Sequence, residues 1–158
     1  MTINIICVGK IKEDYFLKAS AEFEKRLSRF CNLNIVQIPD KSIPDNPSEA
    51  ECALVLSKEG EQILKKIGKS DVVVAMCIEG KQLSSEQLAQ KLAQFQMQSS
   101  TIDFIIGGSL GLCDEVKKRA DLKLSMSSMT FPHRIARIML EEQIYRAFKI
   151  NANETYHK

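Results

Sequence analysis

Apolar and polar positions along this chain follow two alternating rhythms. Residues 3–8, Ile3-Asn4-Ile5-Ile6-Cys7-Val8, form a short apolar run stopped by Gly9, which reads as a buried strand. From Asp14 onward Phe16, Ala19, Phe23, Leu27 and Phe30 recur at helical spacing. Lys18, Glu22, Glu24, Lys25 and Arg26 fill the opposite face, so an amphipathic helix is expected. Residues 33–38 alternate and end at Pro39, a second strand. Pro39, Pro44 and Pro47 make residues 40–48 an exposed loop, because proline fits neither a ladder nor a helix interior. A helix follows over residues 48–67 on Ala53, Leu56, Ile63 and Ile67, weakened by Gly60. Residues 71–78 are nearly all apolar and rich in valine, a central strand covered on both faces, and Glu79-Gly80-Lys81 is expected to turn. Ser84 and Gln87 form a capping box for a helix carrying Leu88, Leu92 and Phe95.

The rest of the chain is organised around residues 102–148. They read as strand, glycine-rich loop, short helix, strand, loop and long helix. The strand–helix order predicts an α/β fold: one domain, residues 1–158, with a mostly parallel sheet and helices on both faces. Ligands of such folds sit beyond the carboxyl ends of strands. The loops 107–112 and 125–133, each between a strand and a helix, are therefore the expected site.

The last helix runs from Pro132 to about residue 150, with Thr130 as the expected cap and Pro132 in the first turn. Its first half, with Ile135, Ala136, Ile138, Met139 and Leu140, is apolar almost all round. Such a helix must be buried on every side. A homodimer with this helix in its interface is expected; deep burial within one subunit is the alternative.

Composition narrows the class. At 158 residues, 44% hydrophobic and 27% charged, the chain has the balance of a soluble globular domain able to bury a core. No run approaches the roughly 20 apolar residues of a membrane span, and the first residues lack a signal-peptide pattern, so a cytoplasmic location and no membrane partner are expected. Five scattered cysteines without a C-x-x-C pair argue for reduced thiols, and with only two histidines no metal site is expected. The net charge of +2 hides an asymmetry. Residues 116–158 hold nine Lys/Arg against four Asp/Glu, while the first 115 residues hold thirteen against sixteen. A basic C-terminal third suits an anionic partner; a solvated basic face explains the charge equally well.

The motifs permit some chemistry and exclude other kinds. Gly107-Gly108-Ser109-Leu110-Gly111 lets backbone approach a ligand, although a plain tight turn has the same composition. It is neither a Walker loop nor the dinucleotide fingerprint. Met126, Ser127, Ser128, Met129, Thr130 and Phe131 offer thioethers, hydroxyls and an aromatic ring, a mixture that suits an adenine and ribose; the methionines and Phe131 could equally be core. Glu142 and Arg146 are four apart on one helix face, where a surface ion pair is the default. Tyr156, His157 and Lys158 form either a frayed tail or a group able to stack on a base, exchange a proton and pair with a phosphate.

Taken together, residues 104–112, 129–133, 142–150 and 156–158, with Val8-Gly9-Lys10 and residues 80–86, closely resemble the ribosomal RNA large-subunit methyltransferase H family of the SPOUT class. The resemblance spans essentially the whole chain. It implies transfer of a methyl group from S-adenosyl-L-methionine to ring nitrogen 3 of a pseudouridine in large-subunit (23S) ribosomal RNA, on assembled ribosomes. It also implies a homodimer and a C-terminal trefoil knot. By matching position, the cofactor would contact Met76, Gly107, Gly108 and the stretch from Met126 through Ser127, Ser128, Met129 and Thr130 to Phe131. The family more often has leucine at position 76 and lysine at position 128; both departures keep the apolar anchors. His157 is the first candidate to touch the base being modified and to accept its proton, Glu142 is the second, with Arg146 placing it or a phosphate, and Tyr156 stands beside them. A noncatalytic ribosome-binding module and a transfer RNA methyltransferase are the competing readings.

Overall fold

The computed structural model describes residues 1–157; Lys158, the last member of the expected tail cluster, lies outside the described residues. Strands and helices alternate throughout. They are β1 (Thr2–Val8), α1 (Asp14–Leu27), β2 (Asn32–Ile38), α2 (Glu49–Leu64), β3 (Val72–Gln82), α3 (Ser85–Gln98), β4 (Thr101–Ile106), α4 (Asp114–Arg119), β5 (Leu122–Ser125) and α5 (His133–Asn151). The five strands make one parallel sheet in the order β2-β1-β4-β3-β5, so the expected α/β architecture is present.

The continuous apolar runs follow from burial on both faces. Ile3, Ile5, Cys7, Val72, Val74, Ile102, Phe104 and Ile106 pack against α1, α3 and α5. Ile6, Val8, Val73, Ala75 and Ile105 pack against α2 and α4. Steps toward the β2 edge, from β1 to β2 and from β3 to β4, carry their helices on the first face. Steps toward the β5 edge carry theirs on the second. All four crossovers therefore share one hand, as twisted parallel sheets require. The final helix, α5, returns to the first face and lies against both α1 and α3.

Several expectations are corrected. Residues 79–81 do not turn. β3 continues to Gln82, and its pairing with β5 shifts between Met76 and Lys81, both of which face Leu124. Gly80 lies so close to β5 that a Cβ would stand 2.7–2.8 Å from backbone atoms of Lys123 and Leu124, so this glycine marks a close backbone approach. Thr130 does not cap α5. The helix starts at His133 with Pro132 at its N-cap and no side-chain cap bond, because Thr130 is still in the loop that walls the cavity below. Phe30 lies past the end of α1 and stacks on Phe148 at 5.4 Å. The Ser84–Gln87 capping box forms as expected.

Buried polar side chains interrupt the core. Asp103 on β4 is fully buried and accepts a 2.7 Å hydrogen bond from Asn4 Nδ2 on β1. On α5, buried Arg137 donates to Glu141 at 2.9 Å and to Ser20 of α1 at 2.7 Å, and Glu141 itself is 0% exposed. This buried pair, tied to a second helix, sets the rotation of α5. Its outer face, with Ile135, Ile138 and Met139, is left partly exposed.

Candidate functional site

A cavity of about 810 Å³ opens beyond the carboxyl ends of β4 and β5, beside the middle of the longer β3. Ile106 and Leu124 at the ends of β4 and β5, with their β3 neighbour Met76, line it from the sheet. Its walls are the two loops singled out in the sequence, residues 107–112 and 125–133, and Ala136 of α5 closes one side. Gly107 makes the first loop workable: a Cβ there would collide with the carbonyl oxygen of Gly111. The loop folds back on itself through a 3.0 Å bond from the Gly111 N–H to the Gly108 carbonyl. The second loop is held from within. Ser125 Oγ donates to the Ser127 carbonyl at 2.9 Å, and the Met129 N–H donates to Ser127 Oγ at 3.1 Å.

The structure gathers Met76, Gly107, Gly108, Met126, Ser127, Met129, Thr130 and Phe131 around this cavity; Ser128 is not among its lining residues. Met126 also packs on the core, whereas Met129 is 66% exposed and so is no core residue. Sequence reasoning missed Ile78, Glu79 and Lys117, which also line the cavity, whereas His133 ends the expected second loop. Reading residues 79–81 as a turn hid the first two. Glu79 and Lys117 pair at 2.5 Å, and their hydrogen bond holds the carboxyl below and the ammonium above its ordinary range. Burial pushes the His133 imidazole down, with the Arg134 charge adding to it, so a neutral ring faces the cavity.

A second cluster lies further along α5. Tyr156 donates to Glu142 at 3.1 Å, Arg146 pairs with Glu142, and the Arg146 guanidinium sits 4.7 Å from the Tyr156 ring centroid. Gln143 donates to the second Glu142 oxygen at 2.8 Å. Arg146 has only donors, so His157 Nδ1, 3.3 Å away, accepts, and Nε2 donates to Glu86 at 2.6 Å. Bonds from Ser84, from its own backbone and from His157 hold the Glu86 carboxyl at about 2. The Glu142 bond raises Arg146 above its ordinary value, while burial and the same carboxylate raise Tyr156. The tail is therefore pinned to α5 rather than frayed. Its four candidate residues meet one another but do not line the cavity of their own chain. Glu142 and Arg146 follow Ala136 by six and ten residues, about 9–15 Å along the helix axis.

Among the described residues no group of His, Cys, Asp and Glu is placed to hold a metal ion, and no helix is long and apolar enough to cross a membrane.

Comparison with known proteins gives matches at the level of family, sequence and fold. A family model described as "Predicted SPOUT methyltransferase" matches residues 1–157. The chain is 51% identical to the ribosomal RNA large subunit methyltransferase H of Bifidobacterium animalis subsp. lactis and 50% identical to that of Clostridioides difficile, each over 100% of both chains. Among solved structures, a probable methylase family protein from Haemophilus influenzae superposes with a TM-score of 0.56 at 15% identity, covering 99% of this chain and 70% of that one, a likeness of fold.

Proposed function

The chain belongs to the SPOUT methyltransferase family, and from that premise we propose that it methylates ring nitrogen 3 of a pseudouridine in large-subunit ribosomal RNA on assembled ribosomes. The observation that carries the reading is the cavity itself. Two loops separated in sequence meet over the ends of β4 and β5, in a chain about half identical over its full length to proteins named for this class of reaction.

The cavity residues fit S-adenosyl-L-methionine. Gly107 leaves a cradle that a Cβ would fill, Met76, Met126, Leu124 and Phe131 offer apolar contact, and backbone groups and hydroxyls of residues 125–130 offer polar contact. When bound, that cofactor supplies an activated methyl on a sulfonium leaving group. The protein's own task is orientation, which is able to remove roughly 7–11 kcal/mol of a barrier. The imide nitrogen must also lose a proton, and a nearby base contributes about 10²–10⁴-fold.

His157 is assigned to contact with the target base and Glu142 to proton acceptance, with Arg146 and Tyr156 holding the carboxylate. These groups lie too far along α5 to serve the cavity of their own chain. We therefore assign them to the cavity of a second subunit, in a homodimer built on the outer face of α5. The premise also carries the trefoil knot; its support is the path of residues 126–132, which run from edge strand β5 along the cavity to His133 beside Gly9.

The deciding experiment measures transfer of labelled methyl to assembled ribosomes, isolated large subunits and total transfer RNA. Label at one pseudouridine of assembled ribosomes is expected. Label on transfer RNA would overturn the substrate and keep the chemistry. Cofactor binding without label on any substrate would point to a noncatalytic ribosome-binding module.

A further inference from the structure

The loop after β1, which carries the Val8-Gly9-Lys10 motif, is not part of either cluster above, yet it is fastened to the cavity wall. Gly9, at φ +90°, lies under the His133 ring; a Cβ there would stand 2.9 Å from Nε2. The next residue of α5, Arg134, pairs with Glu13. Lys10, Lys12 and Tyr15 project outward from this anchored loop and the start of α1. Tyr15 is 66% exposed, and its ring rests against Phe16 with centroids 4.5 Å apart. Arg134 pairs with Glu13, and neither Lys10 nor Lys12 joins an ion pair among the described residues, so both ammonium groups stay open to an anion.

A braced, exposed aromatic beside ammonium groups is what single-stranded nucleic acid uses: the ring takes the face of a base and the lysines take phosphates. We propose that Lys10, Lys12 and Tyr15 form a docking strip for the RNA strand flanking the target nucleotide, outside the cavity. The proposal rests on the reading of the protein as a ribosomal RNA methyltransferase. It accounts for how the substrate strand is held beside the cavity.

The test uses the full-length chain, with Tyr15→Leu, Tyr15→Phe and Lys10→Ala/Lys12→Ala variants. Methyl transfer to assembled ribosomes is followed alongside S-adenosylmethionine affinity and binding to a fluorescent single-stranded RNA oligonucleotide. Tyr15→Leu is expected to raise KM for ribosomes about tenfold, within the range for removal of one base stack, while kcat and cofactor affinity stay unchanged. Tyr15→Phe should behave as wild type. The lysine pair should weaken RNA binding and shallow its salt dependence by about 0.7 for each phosphate that no longer meets an ammonium group. Equal KM values for Tyr15→Leu and wild type, or a fall in cofactor affinity, would overturn the strip. So would a Leu variant as good as Phe in binding, since that would indicate an apolar protein contact. If wild type leaves ribosomes unlabelled, the functional reading fails by itself; the oligonucleotide measurement still decides the strip.

Discussion

At Gly107 a single hydrogen atom separates a working loop from a blocked one. Gly107→Ala drives a methyl into the Gly111 carbonyl, so the loop must open. The expected result is a loss of S-adenosylmethionine affinity of at least about 100-fold by calorimetry, with the circular dichroism spectrum kept, since the clash is local to the cavity. Asp103 makes a different point. Burial, above all, pushes its carboxyl up to about 6, with the Asp71 carboxylate adding to the effect and the Asn4 bond opposing it. A carboxyl with a raised folded-state value favours the neutral form, so its contribution is present at low pH and lost as pH rises through about 6. Asp103→Asn should match wild type near pH 4 and exceed it by about 2 kcal/mol at pH 7 in urea unfolding. An unchanged difference between the two pH values would contradict this account.

Among the elements, α5 joins the most parts of the molecule. Its inner face carries the Arg137–Glu141 pair against Ser20, its start walls the cavity and its later turns hold the tail. Arg137→Met leaves Glu141 buried without its partner and should cost about 3–5 kcal/mol. Arg137→Met/Glu141→Leu should recover most of that, measured by the same unfolding titration. Burial already raises the Glu141 carboxyl, and Arg137 pulls it back down, so the single variant should be least impaired at acid pH. Most helices were legible from their apolar period and most strands from short apolar runs bounded by turn or charged residues. The turn expected at residues 79–81 was not there. Glu79-Gly80-Lys81 has the composition of a turn, and only the partner strand reveals that Gly80 is small to let β5 approach. Both cavity loops were legible from their place after strands. Lys117 was not, because its part in the cavity depends on chain crossings that no local pattern encodes. Arg137 and Glu141, four apart in an apolar stretch, were a signal that reading the helix as apolar all round passed over.

For the whole molecule, the separation between cavity and tail cluster sets the predictions. Removing residues 156–158 should leave S-adenosylmethionine binding intact and abolish transfer. Mixing that truncated chain with a Gly107→Ala chain should restore transfer if the tail acts across subunits, because one cavity and one tail remain whole in the mixed dimer. No recovery on mixing would place the tail with its own cavity. Ile135→Asp/Met139→Asp, on the outer face of α5, should give a monomer in sedimentation at unchanged helix content. The strand order has a further consequence, during synthesis. The first strand made, β1, lies inside the sheet, and one of its two neighbours is β4, with Asn4 facing Asp103. A chain leaving the exit tunnel at 5–20 residues per second leaves that side of β1 open for roughly 5–20 s before its partner arrives. Nascent chains stalled before residue 101 should thus be protease-sensitive and prone to capture by chaperones.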